Sequence, residues 1–169
     1  TLEEKSTGPL LKSWSRLGTV LMNPRFAYLL LMFSLAPMCL MAFLGIAAYV
    51  YIDGFGLSEQ TFSFFFAFNA AFAMLGPVLY LRLSRTIPVR MIILGSFAVV
   101  VLGGTAMLLF GGLSPWLFAA LAAVSTTAVI MLRVPGVNLM LEQQSRDTGS
   151  AAALIQFCGT IMGATGIQI

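Results

Sequence analysis

The sequence contains no histidine. That absence removes imidazole metal ligation and the side chain best suited to proton transfer near neutrality. Charge is also scarce: Asp, Glu, Lys and Arg make up 9% of the 169 residues, against about 25% in soluble domains. With 59% hydrophobic residues, the chain has more apolar surface than a soluble fold of this length could bury. Only two cysteines occur, Cys39 and Cys158, each within an apolar run. They form neither a disulfide framework nor a zinc-binding spacing, and no metal site or cofactor is expected. Alternating apolar and polar residues are missing too, which argues against an outer-membrane barrel. What these absences leave is an all-α integral membrane protein.

Five segments are long and apolar enough to cross a bilayer core of roughly 20 residues. They cover about 24–51, 58–83, 88–110, 114–141 and 149–169, and are called spans A to E. Asn23 before Pro24 and Ser58 before span B read as helix N-caps, and Ser114-Pro115 repeats the pattern at span D. In the segment 1–22, Leu10, Trp14, Leu17 and Leu21 recur at helical spacing with Lys12 and Arg16 off that face. This predicts a cytoplasmic linker carrying an amphipathic helix on the membrane surface. It does not read as a signal peptide.

The net charge of +3 reports loop orientation, and nucleic-acid binding is not expected. Lys5, Lys12, Arg16 and Arg25 precede or open span A, Arg82, Arg85 and Arg90 lie between B and C, and Arg146 lies between D and E. The A–B connection has Asp53 and Glu59 without a base, and the C–D connection is uncharged. Eight of the nine basic residues thus fall on one side, which predicts a cytoplasmic N-terminus in the cell membrane. None of the six acids sits mid-span. An odd number of spans, an opening Thr1 and an apolar run still open at Ile169 suggest a truncated part of a larger bundle.

The ninth base, Arg133, sits within span D two residues before Pro135. No acid lies three or four residues away on its own helix. It reads either as a cavity-facing cation, sensing substrate charge or pairing with an acid elsewhere, or as a side chain snorkelling to the inner headgroups. Asn69 in span B lies among Phe62, Phe65 and Phe66, either on a cavity wall or in an interhelical hydrogen bond. Gln156 is the polar residue of span E, and Gly159 and Gly163 form a GxxxG pattern suited to close helix packing. Pro37, Pro77 and Pro135 lie inside spans, and Gly103-Gly104 inside span C, as packing or bending points.

Three stretches carry a family resemblance: GFGLSEQTFSFFFAFNAAFAMLGP, LYLRLSRTIPVR and NLMLEQQSRDTGSAAALIQF. They resemble the C-terminal half of major facilitator superfamily drug efflux transporters of the bicyclomycin/chloramphenicol-resistance type. The resemblance implies that spans A to E are the seventh to eleventh of twelve helices in a six-helix half-bundle, 23–169, and that TLEEK at the start is the end of the sixth helix and the start of the central cytoplasmic loop. It implies export of small amphiphilic substrates in exchange for protons, by alternating access with the missing N-terminal half. Gly76, Arg82, Arg85 and Arg90 match the family's cytoplasmic loop motif, although Tyr80 and Leu81 stand where its acid would be. Candidate cavity residues are Asn69, Phe65, Phe66, Arg133 and Gln156. The competing expectations are a facilitator-type carrier for a sugar, amino acid or metabolite, and a non-transporting five-span scaffold. A membrane enzyme is not expected, since no nucleophile–base arrangement can be drawn.

Overall fold

The computed structural model describes residue 18 and residues 20–143 and 148–168. Most of the amphipathic segment anticipated in 1–22, and Arg146, lie outside the described residues. Five long helices account for the fold: α1 (Pro24–Ala48), α2 (Glu59–Leu83), α3 (Val89–Phe110), α4 (Pro115–Glu142) and α5 (Thr148–Gln168). Each is long and apolar enough to span a membrane, and among the described residues there is no strand.

The starts follow from local chemistry. Asn23 Oδ1 accepts from the N–H groups of Arg25 at 3.1 Å and Phe26 at 3.4 Å, filling two of the donors a helix start leaves open. Its Nδ2 donates to the Gln143 carbonyl at 3.3 Å, tying the start of α1 to the end of α4. Ser58 Oγ accepts from Thr61 N–H at 3.3 Å. Ser114 holds the cap position of α4, but its side chain makes no cap bond. α1, α2 and α4 each run on through their internal prolines, Pro37, Pro77 and Pro135.

One departure was not anticipated. α1 continues past Ala48 into a π-helical turn, Tyr49–Gly54, so the first span reaches Gly54 rather than ending near residue 51. Phe55 N–H donates to the Val50 carbonyl at 3.0 Å, the i→i+5 bond of a widened turn. Gly56 then takes a φ of 67°, which lets Leu57 N–H reach back to the Tyr51 carbonyl at 3.1 Å.

The helices meet through small residues, as expected where lipid gives no hydrophobic drive to associate. α1 and α5 run parallel, with Pro37 beside Gly159, Met41 beside Gly163 and Gly45 beside Ile167. α2 and α4 also run parallel, with Phe65 against Trp116 and Phe72 bonded to Thr127. α3 lies antiparallel to α4, with Gly103 against Ser125 and Gly111 against Phe118. α4 touches all four other helices. Two buried clusters result: one around Phe26, Leu30, Phe33, Val129, Leu132 and Met140, the other around Ala47, Tyr51, Phe65, Phe118 and Ala119.

Candidate functional site

A cavity of about 430 Å³ opens between α1, α4 and α5. This volume lies in the range of small-molecule sites. α1 contributes Ser34, Pro37 and Met41 to its wall, α4 contributes Arg133, Gly136 and Val137, and α5 contributes Gln156, Gly159, Thr160 and Gly163. Small residues make the opening possible. Gly136 lets the ring of Phe33 lie directly on α4, since a methyl there would come within 2.5 Å of Phe33 Cδ1. Gly159 and Gly163 keep the α5 wall low beside Pro37 and Met41.

Polar groups in this wall are few: Ser34, Arg133, Gln156 and Thr160. Thr160 Oγ1 donates to the Gln156 carbonyl at 2.8 Å. Arg133 and Gln156 are exposed, whereas Leu132, Pro135 and Gly136 around Arg133 on α4 are buried. The arginine thus stands on a packed helix and opens into solvent-accessible space. Among the described residues the cavity lining contains no acid, and no cluster of His, Cys, Asp or Glu could hold a metal.

Of the residues singled out from the sequence, the structure brings Arg133, Gln156, Pro37, Gly159 and Gly163 to one cavity. It does not bring Asn69, Phe65 or Phe66 there. Phe65 is buried in an aromatic cluster at the end of the bundle carrying the α1–α2 connection. It stacks on Tyr51 at 4.9 Å with an interplanar angle of 9°, and meets Trp116 edge-on at 4.9 Å. Tyr51 also meets Phe118 edge-on at 5.3 Å. Phe66 meets Phe62 at 5.7 Å on the edge of this cluster and is 42% exposed.

Asn69 is buried, yet its Nδ2 finds no hydrogen-bond partner among the described residues. The cross-helix bond between α2 and α4 is made instead by Thr127, whose Oγ1 donates to the Phe72 carbonyl at 3.0 Å and lies 2.7 Å from the Ala123 carbonyl. Thr127 was missed because it is one of three consecutive hydroxyl residues, Ser125, Thr126 and Thr127, and the sequence gives no sign of what each one faces.

Gly76 is a packing residue inside α2. A methyl there would meet Ile130 Cγ2 and the Thr127 carbonyl, both at 3.0 Å. Arg82, Arg85 and Arg90 are exposed around the α2–α3 connection. Arg82 lies in the last turn of α2, where a cation complements the helix dipole. Pro77 is exposed and Pro135 buried. Gly103 packs on α4, where a methyl would strike Ser125 Oγ, whereas a methyl at Gly104 would meet open space.

The family model described as Major Facilitator Superfamily matches residues 2–167. No curated protein matches the chain.

Proposed function

The chain belongs to the major facilitator superfamily, and from that premise we propose that it forms the C-terminal portion of a drug:proton antiporter. The family match and the five spanning helices make it a multi-pass membrane transporter protein. The finer reading takes α1 to α5 as the seventh to eleventh helices. Residues 1–22 are then the cytoplasmic linker, and the end bearing Arg25, Arg82, Arg85 and Arg90 faces the cytoplasm of the cell.

The observation that carries the reading is the cavity between α1, α4 and α5, apolar in most of its wall and polar at a few points. Such a surface suits amphiphilic molecules: the wall takes the apolar body, and Arg133 and Gln156 orient the polar part. Alternating access exposes this wall first to one side of the membrane and then to the other, against a partner half of the same transporter. The proton-carrying acids belong to that other half, since the acids of α1 to α5 that are described, Asp53, Glu59 and Glu142, stand at or beyond helix ends.

The test is transport by the whole natural protein in proteoliposomes, with substrate accumulation followed under an imposed proton gradient. Accumulation is expected to collapse with a protonophore. Ala164→Trp, which fills the cavity from an exposed position on α5, is expected to abolish it while the protein remains monodisperse. Accumulation indifferent to the protonophore would remove proton coupling. Transport untouched by Ala164→Trp would remove the cavity.

A further inference from the structure

Among the described residues, the cavity wall holds a single ionisable side chain, Arg133. Its described lining includes no Asp, Glu, Lys or second Arg. Arg133 is a permanent cation, because its guanidinium does not deprotonate in proteins. Around it the wall is aliphatic and aromatic, relieved only by the uncharged groups of Ser34, Gln156 and Thr160. Thr160 already donates its hydroxyl proton to the Gln156 carbonyl. Phe33, seated on Gly136 one helical turn beyond Arg133, provides a ring in the same cavity.

With no acid among the described lining residues, this cation favours ligands of the opposite sign over neutral or positive ones. The guanidinium fork also matches a carboxylate through two parallel hydrogen bonds, a geometry that neither an amide nor an ammonium group can supply. Resting on the reading of this cavity as the substrate site, we propose that the substrate is an anionic amphiphile, an aryl carboxylate being the simplest form. Arg133 holds the acid group, and the apolar body lies between α1 and α5. Cationic amphiphiles are excluded by the same charge.

The experiment is equilibrium binding to the whole detergent-purified transporter, using 2-naphthoate, 2-naphthamide and 2-naphthylmethylammonium. These probes share a ring system and differ in charge. Wild type is expected to bind naphthoate about tenfold or more tighter than the amide, and the ammonium weakest. Arg133→Gln is expected to weaken naphthoate by about tenfold or more and the amide by less than about twofold, with Arg133→Lys between. The proposal is overturned if the amide or the ammonium matches naphthoate in wild type. Equal weakening of all three probes by Arg133→Gln, or no binding by any of them at millimolar concentration, overturns it too. Ala164→Trp separates the two levels. If it abolishes binding of acid and amide that had bound equally, the sign preference alone fails. If it leaves naphthoate binding intact, the cavity reading fails.

Discussion

Three glycines on one face of α5 offer a graded test of how α1 and α5 are held together. In Gly159→Ala the new methyl would lie 3.8 Å from Pro37 Cγ, an ordinary contact. In Gly163→Ala it would lie 3.1 Å from Met41 Cγ, part of an unbranched side chain able to shift. In Gly166→Ala it would strike the Met38 carbonyl, with the Met38 carbonyl carbon at 3.1 Å and Ala42 N at 3.2 Å, and backbone cannot step aside. Replacing glycine by alanine inside a helix favours the helix by about 1 kcal/mol. Overpacking costs about 1–3 kcal/mol. Gly159→Ala should therefore stabilise by up to about 1 kcal/mol, and Gly163→Ala should fall near zero as the two terms offset. Gly166→Ala, where the atoms in the way are backbone, should destabilise by about 1–3 kcal/mol. Thermal unfolding of the whole purified protein, followed by loss of the monodisperse peak, should rank them Gly159→Ala, Gly163→Ala, Gly166→Ala from highest to lowest Tm. A Gly166→Ala protein as stable as wild type would refute the argument, as would Gly159→Ala ranking last.

Two further outcomes follow from hydrogen bonds and rings. Asn23→Ala removes both the cap of α1 and the bond to the Gln143 carbonyl, and should cost about 1–2 kcal/mol. Asn23→Asp keeps the cap oxygen and loses only the donor, so its Tm should lie between the two; a value at or below that of Asn23→Ala would deny the cap its share. Tyr51→Ala should cost about 3–5 kcal/mol by emptying the buried centre of the aromatic cluster, while Tyr51→Phe should stay within about 1 kcal/mol of wild type. Equal losses in the two variants would show that the hydroxyl, and not the ring, holds that end together.

Span number, order and limits were legible because they depend on quantities a sequence carries directly: run length, and Asn or Ser beside proline or an acid at helix starts. The limits agree within a residue or two except at the ends of α1 and α3, where a π-helical turn and a 3-10 turn, Gly111–Leu113, extend the spans. One inserted residue in an apolar run changes no pattern a reader could detect. The cavity was legible in part. Arg133 and Gln156 stood out as polar residues in apolar spans, and both reached it. Asn69 stood out for the same reason and did not. The helices are apolar nearly all round, so periodicity cannot separate the face that meets lipid from the face that meets a neighbour. Thr127 and Gly166 went unremarked because their roles come from the register between helices, a property of pairs and not of segments. The GxxxG pattern pointed to the right face of α5 but not to its tightest contact, which falls one turn further on.

α4 differs from its neighbours in one respect that bears on movement. Half of its most apolar stretch is buried, against 11% for α3 and 17% for α2. It is fastened at one end through Gln143 to Asn23, in the middle through Thr127 to α2, and at the other end within the aromatic cluster. A helix held along its whole length behaves as the mast of the assembly, and motions of the other four are most simply described relative to it. Arg133 stands on that mast. The packing that fixes α4 therefore also fixes the backbone position from which this side chain rises.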